Sequence, residues 1–191
     1  MKLFYFLVFV LIILVITRNI KENFKIVPTQ GFNHNLHSVR SDFNNIEDAA
    51  NLMAQLKKNI NILVDHLNKI YPKYKGIKNI GKRLDLNNMM EAKHEDDGTS
   101  YTINKGEEIH LCLREKNNEK VLHDINTIMF VLLHELAHIM SDTIGHNKEF
   151  RDNFIILLEE AHKLDLYNTI NYSKYPKSYC GLKINSSPIR F

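Results

Sequence analysis

The chain has 191 residues, 44% hydrophobic and 25% charged, which suits one globular domain with a real core and excludes a low-complexity or fibrous polymer. Its net charge of +3 is too small to name a nucleic-acid or membrane partner. The two cysteines, Cys112 and Cys180, lack the close spacing of a cysteine zinc site, and two free thiols are expected, since only the fold could bring them together.

From the N-terminus, residues 3–17 form an apolar run between Lys2 and Arg18. No small-x-small cleavage site follows closely, so residues 1–18 read as an uncleaved single-pass anchor, with a signal peptide as the alternative. Arg18, Lys21 and Lys25 outnumber Lys2, which places the rest of the chain on the cytosolic face; the sequons at Asn171 and Asn185 would be used only in the opposite topology. Residues 19–40 are polar and read as a linker, leaving 41–191 as one folded domain.

From Ser41, a good N-cap, apolar residues recur three and four apart at Ile46, Ala49, Met53, Leu56, Ile60, Leu63, Leu67 and Ile70 until Pro72. That spacing predicts one long helix, laid on a sheet or paired as a coiled coil; the first is preferred. Tyr71 to Arg83 is rich in lysine, and the end from Leu166 combines basic residues with Tyr172, Tyr175 and Tyr179. Such segments suit single-stranded nucleic acid, although a solvated loop and tail is the plainer reading. Between them Ser100–Asn104 and Glu108–Arg114 predict a hairpin turning at Lys105-Gly106, with Ile109, Leu111 and Leu113 on one face.

Asp124 is placed to cap a helix running to about Met140, and this helix carries His134-Glu135-Leu136-Ala137-His138. Two histidines four apart share one helix face, so both imidazoles reach one ion, while the adjacent glutamate can deprotonate water instead of binding metal. Three ionisable groups among Val131, Leu132, Leu133, Ile139 and Met140 would be costly in a purely structural helix. A catalytic zinc needs a third protein ligand. On a continuing helix His146 would lie about 12 Å beyond His138, but Gly145 can turn the chain back, which makes His146 the candidate. Glu149, Glu159 and Glu160 are the competitors, and Asp142 reads as a helix-end residue near the metal site. Phe150, Phe154, Leu157, Leu158 and Ala161 predict a final helix.

The HExxH motif, Gly145-His146 and Phe150 resemble the WLM and SprT-like minimal zinc peptidases, and the order of hairpin and motif helix before them is similar to a WLM domain. The chain also resembles uncharacterised HExxH proteins of large DNA viruses, down to Tyr179-Cys180-Gly181. The third histidine comes slightly later than in WLM proteases and much earlier than in SprT-like ones. A metzincin is excluded, because every methionine lies at or before Met140 and none can form a downstream methionine turn.

The resemblance implies an α+β minimal zincin-like domain acting as a zinc metallopeptidase on protein or peptide. His134, His138 and His146 would hold Zn2+, and Glu135 would be the general base. The relatives' action on proteins crosslinked to DNA gives the nucleic-acid reading a second motive. Tyr172 or Tyr179 could stabilise the oxyanion. The alternative is a membrane-anchored structural or nucleic-acid-binding protein with a non-catalytic zinc site.

Overall fold

The computed structural model describes residues 25–28, 35–41, 43–93 and 100–189. A five-stranded sheet has the order β1 (Lys25–Pro28), β2 (Leu36–Val39), β3 (Met89–Glu91), β5 (Glu108–Leu111), β4 (Tyr101–Ile103). The β2–β3 and β3–β5 pairs are parallel, and the β1–β2 and β4–β5 pairs antiparallel. Strand β4 is therefore an edge. Two small hairpins, β6 (Arg114–Glu115) with β7 (Asn118–Leu122) and β8 (Lys177–Tyr179) with β9 (Leu182–Ile184), complete the β structure.

Among the described residues four α-helices pack around the core: α1 (Ile46–Ile70), α2 (Lys75–Arg83), α3 (Ile125–Met140) and α4 (Lys148–Lys163). The mixed α+β fold expected from the sequence is the fold observed. The three-and-four spacing of α1 buries Ala49, Met53, Leu56, Ile60, Leu63 and Leu67 against the rest of the domain. With that stripe consumed by the core, α1 has no apolar seam left for a coiled-coil partner. The helix starts later than Ser41 suggested: Asn45 occupies the cap position, its amide donating to the Lys120 carbonyl and its carbonyl oxygen accepting from Arg114.

The lysine-rich stretch expected as a solvated loop holds α2, whose Ile77 and Ile80 are buried. In the C-terminal segment Tyr167, Tyr172 and Tyr179 are buried as well, and Tyr175 is the exposed one. Rings that fill a core cannot stack on bases, so the nucleic-acid reading of these two segments is not supported.

Residues 36–39, assigned to a linker, instead form β2, with Val39 fully buried. Among the described residues no helix is long and apolar enough to cross a membrane. This corrects the expectation of a single-pass anchor with a cytosolic domain; residues 3–17, on which it rested, lie outside the described residues. Cys112 and Cys180, expected as free thiols, are joined in a disulfide, because the fold brings their Cα atoms to 6.3 Å.

Candidate metal centre and cleft

Helix α3 presents the motif. Asp124 caps it by accepting from the Thr127 N–H at 2.9 Å and the Thr127 hydroxyl at 2.7 Å, and Leu132, Leu133, Leu136 and Ile139 are completely buried. That packing leaves His134 and His138 half-buried on the cleft side, with Glu135 buried beside them.

After Met140 the chain reverses, with Gly145 in the left-handed region at φ 84°. The turn brings His146 back over the helix. His146 Nε2 lies 3.0 Å from His134 Nε2 and 3.2 Å from His138 Nε2. These separations are close to the roughly 3.3 Å edge of a tetrahedral zinc site with bonds near 2.05 Å. Burial and mutual proximity push His134 down to about 3 and His138 to about 4, so both rings are neutral and their nitrogens are available as ligands. Imidazole nitrogens facing one another at this distance offer lone pairs that a soft-to-borderline cation would satisfy. The donor set therefore fits zinc. The Phe150 ring packs on all three imidazoles, with centroids at 4.8, 4.4 and 4.7 Å from His134, His138 and His146.

The competing carboxylates are engaged elsewhere. Glu149 accepts from the Asp142 and Thr143 N–H groups and the Thr143 hydroxyl, tying the turn together. Glu160 is buried against His66, Tyr71 and Lys163, and Glu159 is exposed and outside the histidine cluster. Asp142 pairs with Lys75 and Arg83, and these hydrogen bonds hold its carboxyl far below the usual range.

A cationic clamp fixes the turn. Arg83 Nη1 donates to the Ile139 and Ser141 carbonyls at 2.9 and 3.1 Å, and Lys105 Nζ donates to Ser141, Asp142 and Thr143 carbonyls at 2.6, 2.6 and 3.2 Å. Positive groups at a helix C-terminus satisfy its last carbonyls and complement its dipole. No local pattern announces this network, because its members lie in three separate segments.

Glu135 is 7% exposed, and burial pushes its carboxyl up to about 8 against the opposing N–H of Thr102. Tyr179 stands behind it. The Ser100 hydroxyl accepts from the Cys112 N–H at 3.0 Å and donates to Tyr179 at 2.6 Å, while the Tyr179 hydroxyl donates to the Cys112 carbonyl at 2.8 Å. That closed ring occupies Tyr179, and Tyr172 is fully buried against Phe130, so neither presents a spare hydroxyl at the histidines. Cys112, His123 and Cys180 also place ligand atoms within 4.8 Å of one another, but the disulfide withholds both sulfurs from a metal.

Two hollows meet at the histidines. One, of about 590 Å³, runs from His134, Glu135 and His146 over Phe130, Phe150 and Phe154 to the β8–β9 hairpin. The other, of about 390 Å³, lies toward β4 and includes Tyr101, Thr102, Lys105 and Thr143.

The family model of the WLM domain matches residues 32–188. The uncharacterized protein R325 of Acanthamoeba polyphaga mimivirus is 36% identical over 151 residues, covering 76% of each chain. The uncharacterized protein 136R of Invertebrate iridescent virus 6 is 33% identical over 130 residues, covering 68% of this chain and 70% of the relative. The crystal structure of Wss1 from Saccharomyces cerevisiae superposes with a TM-score of 0.52 at 23% identity, covering 66% of this chain and 87% of that one, which supports the fold.

Proposed function

The chain belongs to the WLM family, and on that premise we propose that it is a zinc-dependent peptidase in which His134, His138 and His146 hold the ion. The observation that carries the reading is the convergence of three Nε2 atoms next to a buried carboxyl group. When bound, zinc would polarise the scissile carbonyl and lower the pKa of water.

The remaining work falls to the chain's own groups. Glu135 takes a proton from the attacking water and returns it to the leaving amine, as its place beside His134 and its absence from the ligand cluster allow. A bound cation would draw its carboxyl down from about 8 toward a value suited to a base near neutral pH. Strand β4, at the sheet edge beside the cleft, can pair with an extended substrate backbone.

The test is zinc content and hydrolysis of an unfolded protein substrate for the wild type, His134→Ala and Glu135→Gln. One zinc per wild-type chain, loss of zinc in His134→Ala, and retained zinc without hydrolysis in Glu135→Gln are expected. Zinc bound by a wild type that cleaves nothing would instead favour a non-catalytic zinc site.

A further inference from the structure

The two hollows flanking the histidines are lined by different segments, and the larger one bears on what can lie beside the scissile bond. Toward β4 the lining comprises Tyr101, Thr102, Lys105, Thr143 and Ile144. On the opposite side Phe130, Phe150 and Phe154 meet Leu182, Ile184 and Pro188, with Arg151 and Lys183 at the same wall. The aromatic part comes from α3 and α4. The aliphatic part comes from the C-terminal hairpin and the residues that follow it.

Leu182 is 63% exposed and lines this side of the cleft. Tyr179 and Cys180, just before it, are buried. The Tyr179 hydroxyl is bonded to Ser100 and the Cys112 carbonyl, and the Cys180 N–H donates to His123 at 3.2 Å. The Cys112–Cys180 disulfide adds a covalent tie to the chain just after β5. The hairpin is thus anchored at its base while its apolar side chains face the cleft, an arrangement that holds a binding wall in place before a ligand arrives.

We propose that the β8–β9 hairpin is the specificity element of this peptidase, forming with Phe130, Phe150 and Phe154 a subsite for a large apolar side chain next to the scissile bond. The inference rests on the peptidase reading and names its substrate class. A phenylalanine or leucine side chain would remove Leu182 and Ile184 from water together with itself. A lysine would lose hydration without gaining a carboxylate, since Glu135 is the acidic residue of that lining and Arg151 and Lys183 would repel it.

The experiment uses the full chain loaded with zinc. Phenylalanine hydroxamate, alanine hydroxamate and acetohydroxamate share one zinc-chelating group and differ in the side chain, and their affinities are read by calorimetry on the wild type, on Leu182→Glu with Ile184→Glu, and on Val121→Glu, an exposed apolar control in β7. We expect phenylalanine hydroxamate to bind at least about tenfold tighter than alanine hydroxamate to the wild type and the control. The double variant should lose that advantage and keep its affinity for acetohydroxamate. Mass spectrometry of cleavage sites in a mixed peptide library should show phenylalanine, leucine or methionine enriched at one flanking position. Equal affinity for the two amino-acid hydroxamates, or an advantage untouched by the double variant, overturns the subsite. Absence of zinc, or of cleavage by any zinc-loaded form, overturns the peptidase reading instead, and the zinc analysis and binding data tell the two failures apart.

Discussion

Glu91 and Glu135 are both buried glutamates, 1% and 7% exposed, yet their surroundings oppose each other. Glu91 in β3 accepts from Arg114 Nε at 2.7 Å and from the Arg40 N–H at 2.7 Å, and the Arg114 guanidinium also lies over the Phe43 ring. Burial raises its carboxyl above the ordinary value and Arg114 pulls the other way. Glu135 has the Thr102 N–H alone set against its burial. A carboxylate paired with a guanidinium joins parts of a fold; one left short of compensation beside three converging imidazole nitrogens is a candidate for chemistry.

Exchanging charge for an amide at both positions separates these roles most sharply. Glu135→Gln should cut hydrolysis by about 100- to 10,000-fold, the usual worth of a general base, with the thermal midpoint near or above wild type. Substrate turnover and thermal melts check both halves. Glu91→Gln strands the buried Arg114 charge and should cost about 3–5 kcal/mol in denaturant unfolding, while the folded fraction keeps wild-type zinc content.

The donors around Glu135 give the next effects. With His146 in the proposed ligand set, His146→Ala should weaken zinc more than the roughly 100-fold that loss of an outer partner costs, whereas Glu159→Ala should titrate like wild type. Lys105→Met removes the ammonium that gathers three carbonyls of the turn carrying His146, so a smaller loss of about 10- to 100-fold is expected. A competitive zinc titration ranks the three variants.

The smallest effect is a slope. In chelator-treated protein Glu135 has a folded value near 8 and an unfolded value near 4.5, so the folded state holds the extra proton between them. Its contribution is favourable below about 4.5 and is lost as pH rises toward 8. Unfolding free energy of wild type minus that of Glu135→Gln, measured across pH 5 to 8 without metal, should therefore decline. A flat difference would mean that hydrogen bonding fully offsets the burial of Glu135.

Local pattern made much of this legible. The spacing of α1, the Asp124 cap, the turn at Lys105-Gly106 and the pair His134 and His138 each depend on residues within a few turns of one another, where helix and strand periodicity act directly. The return of His146 was readable for the same reason, since Gly145 is the local device that permits it. Misreadings arose where distant segments decide the outcome. Lysine-rich residues 71–83 looked like a loop because nothing nearby reveals that Ile77 and Ile80 pack inside, or that Lys75 and Arg83 hold Asp142. Tyr172, Tyr175 and Tyr179 looked like a stacking surface, but the core encloses Tyr172 and Tyr179 and leaves Tyr175 exposed.

The sequence by itself determined the chemistry on offer: two imidazoles and a carboxylate on one helix face, a third imidazole after a glycine, and an α+β arrangement of amphipathic elements. Tertiary structure decided which carboxylates were consumed, that Cys112 meets Cys180 across 68 residues, and that a C-terminal hairpin walls the cleft. Periodicity and turn propensity are properties of neighbouring residues and survive in the unfolded chain. Desolvation, ion pairing and disulfide geometry depend on which groups the folded chain places within a few ångströms of one another, and no local pattern contains that information.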